Sequence, residues 1–111
     1  MSTSITSNPF PLGLITPVPG TPKTLTDNFP DFDCPYVNQI QIEAAPGNKG
    51  VCWFGNATLN VATRTGVLHV FMLPGDTLVL SNTAVNVYRL SDFLLDTEIA
   101  GDGLFVSVYV R

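Results

Sequence analysis

The stretch that decides the fold is Val37–Gly55, which reads VNQIQIEAAPGNKGVCWFG. In its first part Ile40, Ile42 and Ala44 alternate with polar side chains, which is typical of a strand with one buried face. The turn residues Pro-Gly-Asn-Lys-Gly come next, and a second, more apolar run follows at Val51–Phe54. This pattern predicts a β-hairpin whose apolar face is covered by another part of the chain.

Short strands separated by turn residues are predicted for the remainder of the chain. They are Leu59–Thr63, Val67–Leu73, Thr77–Ser81, Val85–Leu90, Phe93–Asp96 and Leu104–Val110, with turns at Gly55–Ala57, Pro74–Asp76, Asn82–Ala84 and Gly101–Gly103. Leu104–Val110 is apolar on both faces, so it is expected to be a central strand together with Ile40–Ala45. Strands of this length and spacing predict an all-β fold with almost no helix, a small jelly-roll-like β-sandwich.

Residues 1–35 differ in composition from the rest of the chain, because they hold seven of the nine prolines. Proline fixes φ and removes a backbone donor, so neither a helix nor a central strand is expected there. The sequence therefore predicts two parts, an extended proline-rich N-terminal arm at residues 1–35 and a β-sandwich domain at residues 36–111.

The arm is not built like a disordered tail, since apolar side chains are spaced along it. They are Phe10, Leu12, Leu14, Ile15 and Val18. These are the candidate partner-binding residues, and residues 1–30 are expected to be dispensable for folding but required for attachment. One alternative stays open: part of the segment, Leu25–Tyr36 more readily than the first twenty residues, folds back over its own domain.

Charge is scarce, and this restricts the classes of partner that the protein can have. Charged residues make up 13% of the chain, against about 25% in typical soluble domains. A small charge-poor domain must show water an uncharged surface or bury that surface against a partner. The net charge of −4, with five scattered Lys and Arg residues, argues against nucleic acid and anionic membranes. No segment reaches the ~18 apolar residues of a membrane span, and no secretion signal is predicted at the N-terminus.

Residues for catalysis or metal binding are poorly represented. His69, the only histidine, alternates with apolar neighbours and lacks the spacing of a base–nucleophile pair, so an outward-pointing strand residue is predicted. Asp31 and Asp33 place two carboxylates on one side of an extended segment, but the glycine and distal glutamate of a calcium loop are absent. The sequence therefore predicts no enzyme activity, no cofactor and no metal.

The two cysteines and the neighbouring aromatic residues have structural explanations. Cys34 and Cys52 match no zinc-site spacing and are predicted to be reduced structural thiols. Trp53 and Phe54 have the chemistry to stack on a base or a sugar. Filling the core and its rim explains both better, since aromatic side chains at binding sites normally have polar partners nearby.

Several segments together resemble the small structural proteins of tailed bacteriophages. They are Gly20–Thr26, Ile40–Gly55, Leu73–Asp76 and Gly101–Gly103, the last directly before a valine-rich C-terminal strand. The order of a proline-bearing arm, a Gly/Asn turn, a Pro-Gly-Asp turn and a valine-rich last strand is similar to that of short phage virion proteins. The resemblance covers most of residues 20–110, and its motifs are mainly turn chemistry.

Among these proteins the chain looks most like a capsid decoration, or cement, protein. The resemblance implies a small β-domain, made in the host cytoplasm, that joins the outer surface of the virion shell. It also implies the major capsid protein as a partner, assembly as a homotrimer, and an extended arm that reaches between capsomers. The alternative is a small tail or fibre-attachment module that binds a receptor. Such a module should present loops rich in Tyr, Trp and polar residues, whereas the loops here are short and Gly/Pro-based, which favours cement.

Overall fold

The computed structural model describes residues 8–82 and 85–111. The strands are β1 (Asn8–Ile15), β2 (Tyr36–Val37), β3 (Gln39–Ala44), β4 (Cys52–Asn60), β5 (Thr65–Phe71), β6 (Thr77–Ser81), β7 (Tyr88–Arg89), β8 (Phe93–Thr97) and β9 (Leu104–Val110). Helix in these residues is confined to α1 (Leu25–Asn28) and a 3-10 turn at Leu90–Asp92. The all-β prediction is therefore confirmed.

The strands form two main layers around one core. A four-stranded sheet has the order β1-β9-β3-β6, a three-stranded sheet has the order β5-β4-β8, and β2 pairs with β7. All of these pairings are antiparallel. Strands β3 and β9 hold the two central positions of the larger sheet, which confirms their prediction as core elements.

Side chains from both sheets meet in a single buried cluster, as a β-sandwich-like arrangement requires. Its members are Ile15, Leu25, Val37, Ile40, Ile42, Ala44, Cys52, Phe54, Phe71, Leu90, Leu95, Leu104, Val106 and Val108. Side chains of β3 alternate between the two faces of the sheet. Ile40 and Ile42 are fully buried, whereas Glu43, which lies between Ile42 and Ala44, is exposed. Each buried side chain of this size contributes about 1.5–3 kcal/mol.

The predicted hairpin within Val37–Gly55 is wrong, because its two strands lie in different sheets. Strand β3 pairs with β6 and β9, whereas β4 pairs with β5 and β8. The turn-rich segment between β3 and β4 therefore carries the chain from one layer to the other. Gly, Pro and Asn allow a reversal of the chain, but they do not determine which strand the returning segment will pair with.

This crossover is held by side chains near the start of β9. The buried Asp102 carboxylate accepts backbone N–H groups from Lys49 at 3.0 Å and from Gly50 at 2.8 Å. The Asn48 amide donates to the Gly103 carbonyl at 2.8 Å and accepts the Gly103 N–H at 2.8 Å. The turn predicted at Gly101–Gly103 thus also forms the hydrogen bonds that hold the crossover segment between the two sheets.

The expected boundary at residue 35 does not coincide with a break in packing. Strand β1 forms an edge of the larger sheet, a position where prolines are tolerated. Ile15 at its end is 3% exposed, and Leu25 in α1 is fully buried in the common core. Of the predicted arm, residues 1–7 lie outside the described residues. The described residues that precede Tyr36 pack into the same body as those that follow it.

The expectation of no helix before residue 35 is also wrong, although the helix is only one turn long. Prolines are absent between Pro22 and Pro30, so the backbone donors that a turn of helix needs are present. Thr24 caps the turn, since its Oγ1 accepts the Asp27 N–H at 3.0 Å. The cap and the burial of Leu25 make this short turn possible.

Other local predictions met mixed outcomes. Strands Thr77–Ser81 and Leu104–Val110 are confirmed at their predicted bounds, as is the Pro74–Asp76 turn, where Gly75 has a φ of 85°. Three others are wrong: Gly55–Ala57 and the start of Leu59–Thr63 lie inside the long strand β4, and only Tyr88–Arg89 of Val85–Leu90 forms a strand. The turn predicted at Asn82–Ala84 lies mostly outside the described residues.

The prediction that the His69 side chain points outward is wrong. It is half-buried, lies opposite the buried Phe54 in the β4–β5 pairing, and packs edge-on against Phe71 with ring centroids 4.7 Å apart. Since Phe71 is buried two residues further along β5, His69 shares the inner face of the strand. Its position is that of an aromatic side chain at the rim of the core.

Candidate partner-binding surface

The outward-facing residues of the four-stranded sheet form a continuous surface, named here the outer sheet face. Side chains alternate along a strand, so every second residue of β1, β9, β3 and β6 points away from the core. The strand register aligns them in three rows: Leu14–Phe105–Glu43–Thr77, Pro11–Ser107–Gln41–Val79 and Pro9–Tyr109–Gln39–Ser81. Glu43 is the single charged residue among these twelve.

Apolar side chains on the outer sheet face remain open to solvent. Leu14 is 51% exposed, Phe105 is 44% exposed and Val79 is 49% exposed. Gln41 and Ser107 lie between them and offer hydrogen-bonding groups without charge. The centres of protein–protein interfaces are depleted in charge and enriched in aromatic residues. The composition of this face is therefore that of an interface with another protein.

A depression in this face has the size to take a side chain of a partner. Its volume is about 240 Å³, and it is lined by Pro11, Gly13, Gln41, Glu43, Phe105 and Ser107. It lies where the β1–β9 register shifts between Pro11 and Gly13, and Gly13 there has a φ of 127°. A β-bulge at a sheet edge often re-aims side chains at a functional site. The positive φ explains the glycine at this position, and a Cβ there would approach the Phe29 ring at 3.8 Å.

Three of the five candidate residues from the sequence remain exposed, but in different places. Leu14 lies on the outer sheet face beside Phe105. Phe10 is 40% exposed on the opposite face of β1 and packs edge-on against Phe32 with ring centroids 5.5 Å apart. Val18 is 67% exposed in the segment that follows β1. Of these three, only Leu14 contributes to the outer sheet face.

The other two candidates are used by the domain itself. Ile15 is 3% exposed and lies opposite Leu104 within the core. Leu12 is half-buried and packs against the core cluster. Neither side chain is free to anchor a partner, because the core already surrounds it. The alternative in which the N-terminal segment folds back over its own domain thus applies to both.

The sequence analysis missed Phe105 and Val79 as surface residues. One signal for Phe105 was present, since Leu104–Val110 is apolar on both faces. Strand β9 is central in its sheet, yet Phe105 is 44% exposed. A second apolar face on a central strand therefore indicated either a covering layer or a binding surface.

A second group of exposed apolar side chains lies along the end of the smaller sheet. Leu68, Met72 and Leu73, in and just after the edge strand β5, are 55%, 69% and 66% exposed. They follow one strand and the loop after it, whereas the outer sheet face extends over four strands. A surface four strands wide suits a large partner better. The β5 group, whose apolar side chains are more exposed, provides a control.

Both cysteines are free thiols, as predicted. Burial, followed in size by the charges of the Asp102 and Asp96 carboxylates, raises the pKa of Cys52 to about 11. The thiolate is the reactive form of cysteine, so Cys52 is unreactive at neutral pH. Its side chain serves as a small apolar group in the core.

Metal-binding clusters and membrane-spanning helices are both absent from the described part of the chain. Residues 8–82 and 85–111 contain no group of three or more His, Cys, Asp or Glu side chains that could hold a metal ion, and Asp31 and Asp33 are not part of one. None of the helices in this part of the chain is long and apolar enough to cross a membrane.

No protein-family model, curated protein or solved structure matched this chain.

Proposed function

We propose that the protein is a capsid decoration, or cement, protein of a tailed bacteriophage, which binds the outside of the major capsid protein shell and stabilises it. The observation that carries this proposal is the outer sheet face, where one charged residue stands among twelve. Such a face on a small domain is suited to lie flat against a large protein surface. Leu14, Phe105 and Val79 are its apolar contacts, and Gln41 and Ser107 supply hydrogen bonds between them.

The strand order supports a jelly roll as the particular type of sandwich. A jelly roll packs two four-stranded sheets built from Greek-key connections. The larger sheet has four strands, and the smaller sheet gains an isolated antiparallel bridge between Thr24 and Leu94 of β8. The bridge occupies the position of a missing fourth strand in the smaller sheet.

The energetics favour a protein that acts in many copies. Burial of three apolar side chains at about 1.5–3 kcal/mol each only partly offsets an association cost of about 4–15 kcal/mol. Hydrogen bonds and the remaining apolar area leave a modest affinity for a single contact. A homotrimer presents three such faces at once, so its binding to a shell gains from avidity.

The oligomeric state is tested by light scattering coupled to size exclusion at micromolar concentration. Contact between copies would bury apolar surface that a single chain of 12.0 kDa leaves exposed, and this adds stability. The expected result is a species of three times the chain mass. A monomer across the concentration range would contradict the trimer.

The function itself is tested by co-sedimentation with undecorated shells assembled from the major capsid protein of the phage whose genome encodes this chain. The expected result is saturable binding, together with a higher temperature of shell disruption when the protein is bound. Absence of binding to intact shells would overturn the assignment. Binding to tail or fibre components instead would support the alternative function, a small tail or fibre-attachment or receptor-binding module.

A further inference from the structure

A second concave surface lies on the opposite side of the sandwich and is named here the Trp53 cleft. Its volume is about 590 Å³, within the range of roughly 300–1,000 Å³ that is common for small-molecule sites. Trp53 of β4 and Asp96 of β8 are neighbours across the smaller sheet and form its floor. The segment Pro19–Pro22 forms one wall, and Leu59–Ala62 forms the other.

Strand alternation places Trp53 in the cleft. Cys52 and Phe54 on either side of it are fully buried, so Trp53 points to the outer face of the smaller sheet. The prediction that Phe54 fills the core is confirmed. Trp53, by contrast, is half-buried with its indole lining the cleft. Its polar neighbours Asn60 and Glu98 meet the condition that separates a binding-site aromatic from a structural one.

The wall at Pro19–Pro22 is fixed before any ligand arrives. Both oxygens of the Asp96 carboxylate accept the Gly20 N–H at 3.2 Å, and Oδ1 also accepts the Thr97 N–H at 2.8 Å. The Thr97 hydroxyl donates to the Pro17 carbonyl at 3.4 Å. Prolines in this segment restrict its backbone further. A preformed wall lowers the entropy cost of binding.

Charge in the cleft selects against anions. Asp96 is 2% exposed, Glu98 is exposed, and the described residues that line the cleft include no lysine, arginine or histidine. Two carboxylates without a neighbouring cation repel phosphates and carboxylate-bearing ligands. The ligand is therefore neutral or cationic.

We propose that the Trp53 cleft binds a neutral sugar, in the form of a pyranose ring of a glycan. A pyranose presents an apolar C–H face, which packs on the electron-rich face of an indole. Its rim carries hydroxyls that can donate to the exposed Glu98 carboxylate and exchange hydrogen bonds with the Asn60 amide. A small cation also binds tryptophan, but it leaves most of a 590 Å³ cleft unfilled.

The cleft and the outer sheet face lie on opposite sides of the core, so both can be occupied at once. The sugar site does not depend on the proposed function, because it rests on residues that the outer sheet face does not use. A protein docked through the outer sheet face would present the cleft toward the surrounding medium.

Trp53 is the only tryptophan, so intrinsic fluorescence reports on this cleft directly. The experiment titrates the full-length protein with glucose, galactose, mannose and N-acetylglucosamine, each up to about 100 mM, since single sugars bind in the millimolar range. Inorganic phosphate, guanidinium and choline are titrated in parallel. The expected result is a saturable change in emission with at least one neutral sugar and none with phosphate.

Two exposed carboxylates provide matched variants. Glu98→Ala removes the exposed carboxylate of the cleft and is expected to raise the apparent Kd of the sugar at least about fivefold. Glu43→Ala removes a carboxylate that is also exposed but lies on the outer sheet face, away from the cleft, and should leave the Kd of the sugar unchanged. The proposal is overturned if none of the four sugars saturates, if only guanidinium or choline does, or if Glu98→Ala and Glu43→Ala behave alike.

Discussion

The two outer faces of the sandwich differ in what the N-terminal segment does to them. Strand β1 extends the edge of the larger sheet and leaves the outer sheet face bare, with Phe105 44% exposed. The same segment then crosses to the smaller sheet, where Gly20 covers Asp96 and Thr24 bridges to Leu94. One face is thus wide and open with a single charged residue, and the other is a walled cleft with fixed polar groups. Covering a sheet in part creates a small-molecule site, and leaving it open creates a surface for a large partner.

The largest expected effect comes from removing the segment that makes this difference. A chain that starts at Asp31 loses β1 and the buried side chains of Ile15 and Leu25. Loss of large core side chains costs about 2–5 kcal/mol each, and small domains have only about 5–15 kcal/mol in total. The truncated chain is expected to be unfolded by circular dichroism at 25 °C. Cooperative unfolding with the midpoint of the full chain would instead mean that the segment is a separate arm.

Two point variants test which apolar side chains of the N-terminal segment belong to the core and which to the surface. Ile15→Ala is expected to lower the free energy of unfolding by about 2–5 kcal/mol, because Ile15 is 3% exposed. Val18→Ala should change it by less than about 0.5 kcal/mol, because Val18 is 67% exposed. Urea unfolding followed by far-ultraviolet circular dichroism measures both. Equal effects of the two substitutions would contradict the assignment of Ile15 to the core and of Val18 to the surface.

A substitution in the crossover between the two sheets is expected to have a smaller effect on the free energy of unfolding. Asp102→Ala leaves the N–H groups of Lys49 and Gly50 without their carboxylate acceptor. A lost charged acceptor at a partly buried site costs about 1–3 kcal/mol. Thermal and urea unfolding should both show this loss, with Asp27→Ala, on the exposed side of α1, as the control. A neutral Asp102→Ala would mean that the crossover is held by Asn48 alone.

The smallest effect is a pH dependence from Cys52. Its folded pKa of about 11 lies above the usual 9.0, so the folded state disfavours the thiolate more than the unfolded state does. The resulting stability is complete below pH 9 and is lost as pH rises toward 11, with a slope of at most about 1.4 kcal/mol per pH unit. Cys52→Ala should flatten this part of the pH profile relative to the unsubstituted protein. An identical profile in the variant would show that the thiol does not contribute.

Strand positions were predictable where turn or polar residues flank a short apolar run. Thr77–Ser81 and Leu104–Val110 were correct at both ends because their polar or glycine-rich flanks determine them locally. The pairing of β3 was not predictable in the same way. The Pro-Gly-Asn-Lys-Gly turn fits a hairpin and a crossover equally, and the acceptor that decides between them, Asp102, is distant in sequence.

The candidate surfaces were predictable only in part, for a related reason. The charge-poor composition indicated a partner, and Leu14 was identified correctly as an exposed apolar residue. Ile15 next to it was assigned the same role, although strand alternation places it in the core. Trp53 and Phe54 are adjacent in one strand, so the sequence alone predicts that their side chains point to opposite faces of the sheet. Only tertiary packing determines which of the two side chains enters the core and which lines a cleft.

The central claim, that the outer sheet face binds the shell, is tested most directly by comparing two double variants in co-sedimentation with undecorated capsids. Leu14→Gln with Phe105→Gln alters the outer sheet face, and Leu68→Gln with Met72→Gln alters the β5 group, whose side chains are more exposed. Leu14 and Phe105 are about half buried in the free protein, so each contact contributes about half of the roughly 1.5–3 kcal/mol of full burial, which predicts at least about tenfold weaker binding for the first pair. The second pair should bind like the unsubstituted protein, and both should unfold at similar urea concentrations. Full binding by the first pair and loss of binding by the second would contradict the account and place the contact on the edge of the smaller sheet.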